Sequence, residues 1–430
     1  MAKLELPEET KKRMEEALTA DLLIAIPAAV NMEELRSAAP GSLLRLPPLT
    51  ASGVERSLSG VRAVVAYPGV GSEAETSSNG SVHLDPAGTG SEVRFLPFAP
   101  SSGPSVIPWL GLATAYQTIF DIARKLGVGA CAVIAPDLLA LKTDQLMPLL
   151  APVIDGHCEL VMPVYPAGKF EGLLNSSILA PLTRALYGRR VRVPLAPDFA
   201  ISARLLKDLE QPLQRSTLQG RTLFWPATEA ALRERSICQR HLNLHHPATA
   251  EGIDLSAVLT ETVGPLFAEM EANAAAWQRV RGSQPVEILG AAAAPSEDGA
   301  AVDVRPMLET FALGFRNLQE MWALVLPPVT LLELKRLTRL TAEHFRMADE
   351  LWVRIVYDFA LAYRLRSLSR THLLGALTPL YLGWVASHGL EVGNMRAHEA
   401  EQRVERLARA YEEGKPYLLS RWRWPDRFNP

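Results

Sequence analysis

Long apolar runs are missing from this chain. No stretch of its 430 residues approaches the roughly 18 consecutive apolar residues of a membrane-spanning helix, so no membrane span is expected. The most apolar region, residues 373–385, is broken by Thr378, Pro379 and Gly383 and predicts a buried helix pair. Cysteine is scarce: Cys131, Cys158 and Cys238 stand at odd spacings that suggest neither a disulfide framework nor a zinc site. That pattern, with a charged N-terminal stretch lacking an apolar signal core, predicts a reducing, cytoplasmic setting. An excess of basic charge is missing too. A net charge of −3 argues against a nucleic-acid partner, which usually demands a basic patch or stripe. No G-x-x-x-x-G-K-[ST] phosphate loop and no G-x-S-x-G elbow occur, and Gly69-Val70-Gly71 lacks the third glycine of a dinucleotide fingerprint.

What is present is an ordinary globular balance, 48% apolar and 21% charged, over a length that suits two domains. Short apolar runs at residues 22–26, 61–67, 93–98, 130–135 and 160–164 read as buried strands, and helical patterns fall between them, clearest at 111–126. Continuous apolar strands alternating with helices predict an α/β fold with a mostly parallel sheet covered on both faces. Such sheets bind ligands beyond the carboxyl ends of their strands, here near Pro27–Asn31, Pro68–Gly71, Asp137 and residues 164–169. Residues 69–90, rich in Gly, Ser and Thr, read as a long surface loop. After Asp254 the strands largely stop; 282–306 reads as a linker and 307–413 as helices, with Trp352, Ile355, Val356, Phe359, Ala362 and Tyr363 forming one apolar stripe. The expected domains are an N-terminal helix at 1–19, a ligand-binding domain at 20–254 and a helical domain at 255–430.

The densest signal lies at residues 158–202. An apolar strand leads into a Pro/Gly loop carrying Lys169, Glu171, Gly172 and Asn175. The run PLTRALYG at 181–188 follows, and then Asp198-Phe199 between apolar residues. This stretch resembles the nucleotide-sugar glycosyltransferases that make glucosylglycerate, glucosyl-3-phosphoglycerate and mannosylglycerate. In that family the loop reads R-H-K-Y-D-G-T-I-T-N and the later acid sits in G-G-D-F-G. The resemblance extends to residues 20–31, to Ile237-Cys238-Gln239, and to the helical stretches 350–363 and 370–386. It implies a Rossmann-like, glycosyltransferase-A-type sheet with a helical C-terminal domain. The implied partners are a nucleotide sugar and a small polar acceptor, and the apolar C-terminal helices make a homodimer plausible.

The resemblance also assigns residues. The family holds a divalent cation, Mg²⁺ or Mn²⁺, with an Asp-x-Asp motif and a downstream histidine. Here Ala135-Pro136-Asp137 keeps only the second aspartate, and His245 or His246 stands for the histidine, with His246 favoured by its proximity to Pro247. Asp198 is the expected catalytic acid or sugar-hydroxyl partner. Lys169 is expected to face the acceptor and assist catalysis, with Pro27, Asn31, Gly172 and Asn175 lining the substrate. Each residue has a plainer reading: Asp137 and Asp198 as turn or helix-capping acids, the histidine pair as a surface turn, Lys169 as a solvated loop lysine. Three family elements are absent. No lysine stands near 105–112, no aspartate in 67–76, and Thr222-Leu223-Phe224 replaces a G-I-D segment. Two functions are therefore expected from this pattern, an active hexosyltransferase or a catalytically inactive relative that serves as a binding or partner subunit.

Overall fold

Among the described residues nine strands form one sheet: β1 (Leu22–Ala25), β2 (Arg62–Pro68), β3 (Ser81–Leu84), β4 (Ser91–Phe98), β5 (Ala130–Val133), β6 (Leu160–Val164), β7 (Phe199–Ser202), β8 (Ile237–His241) and β9 (Ile288–Leu289). In space they run β9-β8-β6-β7-β5-β1-β2-β4-β3. Most neighbours are parallel; β7 lies antiparallel between β5 and β6, and β3 is antiparallel at the edge. The computed structural model describes residues 19–44, 49–51, 54–56, 61–69, 81–84, 91–99, 113–210, 223–246, 254–292 and 303–424. The expected N-terminal helix at 1–19, apart from Thr19, and the 105–112 segment lie outside the described residues.

The chain forms two compact units, one of residues 1–165, 193–248 and 286–293, the other of 166–192, 249–285 and 294–430. The chain passes between the units more than once, so neither unit is one continuous stretch. The first unit holds the sheet. Alternation along β5 sends Ala130 and Ala132 to one face and Cys131 and Val133 to the other. Those small alanines let helix α1 of this layer's C-terminal half approach closely: α1 (Leu146–Ile154) packs Leu149, Leu150 and Val153 into a core with Val161, Ala200 and Cys238. On the other face Phe199 meets Tyr116 and Phe224 in an aromatic cluster that also holds Phe120. Phe224 is thus a core residue.

The second unit is helical. The predicted stripe lies on α2 (Asp349–Leu365), and all six of its residues are buried. The expected helix pair at 373–385 is instead one continuous helix, α3 (Arg370–Val392), with Pro379 inside it. The proline is accommodated against a partner helix, Arg305–Ala323, whose Gly314 has no side chain; a Cβ there would meet the Pro379 ring at 2.5 Å. A third long helix, α4 (Ala397–Arg423), carries Glu405 and Glu412, both bonded to the buried guanidinium of Arg184 at 2.7 Å.

Three further expectations are corrected. Residues 69–90 are not all loop, because β3 pairs with β4 inside that stretch. The 282–306 stretch contains Gln284–Pro285, paired with Arg189–Arg190, and β9 at the sheet edge. Cys158 and Cys238 are joined as a disulfide, with Cα atoms 6.0 Å apart and a sequence separation of 80. Odd spacing hid this pair because β6 and β8 become neighbours only in the folded sheet. Cys131 is buried and free.

Candidate functional site

Parallel strands β5, β6 and β8 end on the same edge of the sheet, and antiparallel β7 begins there. Each contributes one side chain just beyond its last or first residue. After β5 the chain turns through Pro136 to Asp137; after β6 comes Tyr165; before β7 stands Asp198; after β8 a segment without helix or strand brings His246. Four remote stretches thereby meet without any local motif.

Asp137 works in two directions. Its Oδ1 accepts the Leu139 N–H at 3.1 Å, closing the turn into the short helix Leu139–Lys142. Its Oδ2 lies 2.7 Å from Nδ1 of His246. The turn reading and the site reading of this residue thus coexist, while the helix's N-cap position is Leu138, without a side-chain cap bond. Burial pushes the Asp137 carboxyl up, but the His246 and Leu139 hydrogen bonds and the charges of His246 and Lys142 outweigh it and hold the pKa below the usual value.

Asp198 has no exposed side-chain surface. Its Oδ1 accepts the Ala135 N–H at 3.0 Å. Its Oδ2 accepts the Tyr165 hydroxyl at 2.8 Å and lies 2.7 Å from Nε2 of His246. His246 therefore bridges two carboxylates through both ring nitrogens. Burial works against its charged form, but the two carboxylate hydrogen bonds dominate and raise its pKa to about 9, which makes it an imidazolium at neutral pH. Tyr165 packs edge-on against that ring, with centroids 5.0 Å apart and planes at 89°. Burial and the Asp198 charge push the Tyr165 phenol well above its ordinary range. The adjacent His245 is exposed.

Asp137 and His246 are thus neighbours, as a shared cation site would require. The arrangement does not fit a cation, however. Both nitrogens of His246 are turned onto carboxylates, and among the described residues no group of three or more His, Cys, Asp or Glu side chains is arranged to hold a metal ion. No step is routed through a cation below.

The other expected site residues have local partners. Pro27 is buried at the end of β1, and Asn31 accepts the Glu33 and Glu34 amides at 3.0 and 3.3 Å, capping the helix Met32–Leu44. Lys169, Gly172 and Asn175 belong to the second unit. There the Lys169 ammonium donates to the carbonyls of Gly393 and Met395 at 2.8 and 3.2 Å, closing the C-terminal end of α3 as a cation does at a helix terminus. Gly172 has φ of +60° in an open turn. Asn175 opens a π-helical turn, Asn175–Leu179, and donates to the Arg192 carbonyl at 2.7 Å, while its buried Oδ1 has no hydrogen-bond partner among the described residues.

Tyr165 is the member of the cluster that the sequence did not single out. Its place beyond the end of a predicted strand was a usable signal; its partner, 33 positions away, was not. Compared with protein-family models and with curated proteins, the chain matches none. Among the described residues no helix is long and apolar enough to cross a membrane.

Proposed function

We propose that the first unit is a glycosyltransferase-A-type nucleotide-sugar fold, and that the protein transfers a hexose from a nucleoside-diphosphate sugar to glycerate, phosphoglycerate or a similar small acceptor. One observation supports this above the rest: Asp137, Asp198 and His246, three of the polar residues that the family resemblance singled out in this unit, meet at the carboxyl edge of the parallel strands, while a fourth, Asn31, caps a helix instead. The edge is where open α/β sheets take ligands, and Asp137 and His246 keep 24% and 19% of their side-chain surface open. In this reading Asp137 offers a carboxylate to sugar or ribose hydroxyls, and the imidazolium of His246 offsets charge developing on the leaving diphosphate.

A second reading, a catalytically inactive relative that binds a ligand or partner, is favoured by two specific observations. Asp198 is closed off by its own hydrogen bonds, and the Lys169 ammonium is engaged by helix carbonyls. Calorimetric titration with UDP- and GDP-linked hexoses, with and without Mn²⁺, separates the readings. The transferase reading expects one donor to bind, and expects Asp137→Asn to weaken that binding about tenfold or more. Binding that is unaffected by the variant, or no binding by the wild type, would favour the second reading.

A further inference from the structure

Asp198 sits where a ligand-contacting acid was expected, yet nothing of its side chain is open. Both oxygens are used. Oδ1 takes the Ala135 amide, and Oδ2 takes the Tyr165 hydroxyl together with His246 Nε2. A carboxylate already holding three donors has little left to offer a sugar hydroxyl, and freeing it would leave buried donors unpaired. His246, by contrast, lies in a stretch where the described residues, Leu242 to His246, have neither helix nor strand, so no regular element fixes the ring. The side chains do that. Asp137 and Asp198 clamp the two ring nitrogens at 2.7 Å each, and the perpendicular Tyr165 ring sets the imidazole plane.

We infer that Tyr165 and Asp198 are positioning residues that act through His246, and that the group presented to a ligand is the outer edge formed by Asp137 and His246. Asp137 and His246 are partly open, whereas Asp198 is closed and is held by the Tyr165 hydroxyl and the Ala135 amide as well as by His246. Tyr165 shares Oδ2 with His246, so the two donors compete for one oxygen. Removing the phenol hydroxyl leaves that oxygen to His246 alone; neutralising Asp198 takes the charge away from Nε2 while leaving Nδ1 on Asp137. The inference rests on the same cluster as the proposed function, but it concerns the ligand-free protein and can be tested there.

The test is the side-chain ¹⁵N spectrum of histidine-labelled full-length protein, with His246 assigned by its loss in His246→Gln. Tyr165→Phe should shift the Nε2 signal of His246 and leave Nδ1 nearly in place; Asp198→Asn should shift Nε2 further. If a nucleotide sugar binds the wild type, Tyr165→Phe should weaken it by up to about tenfold, through the Asp198 and His246 side chains that the hydroxyl helps to hold. A His246 spectrum unchanged in Tyr165→Phe overturns the inference, as does an unchanged spectrum in Asp198→Asn accompanied by loss of ligand, which would mean direct contact. Tyr165→Phe removes one oxygen and keeps the ring, so it decides the question even where Asp198→Asn does not fold. Failure of every donor to bind would count against the proposed function and leave the spectral test standing.

Discussion

The backbone amide of Ala135 donates to the Asp198 carboxylate at 3.0 Å, across 63 positions of sequence. This bond continues the pairing of β5 with β7 beyond its last residues by a side chain, and fixes where the turn toward Asp137 begins. Asp198→Ala should therefore act on stability first. It leaves the Ala135 amide, the Tyr165 hydroxyl and a charged His246 without their common acceptor, and a loss of about 3–5 kcal/mol is expected. Asp198→Asn, which retains an acceptor oxygen, should cost clearly less. Urea unfolding of the three proteins checks this; equal losses would mean that the carboxylate charge does not hold the cluster.

Gly188 ends the helix Ala180–Tyr187 at φ +69°, and a Cβ there would fall 2.8 Å from the Gly282 carbonyl oxygen and 2.9 Å from a Val280 methyl. Gly127 has a similar φ of +67° with open space around it. Gly127→Ala should cost about 1 kcal/mol from backbone strain alone, and Gly188→Ala about 1–3 kcal/mol more, measured as differences in unfolding free energy.

His388 is buried on α3 and stacks on Trp384 at 4.9 Å, and its Nδ1 lacks a partner among the described residues. Burial, then the charge of Arg403, lowers its pKa to about 4, against an opposing pull from Glu391 and a backbone bond at Lys169. A histidine lowered in the fold is protonated first in the unfolded chain. Its contribution is therefore full above pH 6.5 and is lost as pH falls toward 4, by at most about 3 kcal/mol. His388→Phe should flatten that part of the stability curve. Parallel curves for variant and wild type between pH 6.5 and 4 would contradict the assignment.

The pairing of Cys158 with Cys238 gives a simple count. Unreduced, denatured protein should show one reactive thiol, Cys131, and reduced protein three. A cross-link spanning 80 positions restricts the unfolded chain by about 4–5 kcal/mol in the loop-entropy picture, so reduction should lower the urea midpoint. Three thiols before reduction would refute the bridge.

Three of the five strands read from sequence, at 22–26, 63–67 and 130–135, hold five or more consecutive apolar residues, where burial on both sheet faces leaves a compositional trace. β7 left none. Its four residues, Phe199 to Ser202, follow Pro197 and Asp198 and look like a turn. β9 has two residues and is a strand only because β8 is beside it. The site was half legible in the same way. Asp137 and Asp198 stand at strand ends, but the choice between His245 and His246 needed the folded chain, in which His245 is exposed and His246 meets both carboxylates. Lys169 looked like a ligand-binding lysine because its carbonyl partners lie 224 and 226 positions away.

The position of β9 bears on synthesis. Its two residues pair with Gln239 and Arg240, and the Gln239 amide also bonds to the Glu287 carbonyl at 2.8 Å. While the ribosome is between residues 241 and 287, β8 is the last strand on that side and its outward peptide groups have no ladder partner. A nascent or truncated chain ending near 254 would expose this open edge to other chains, so such a fragment should aggregate more readily than one ending beyond residue 293.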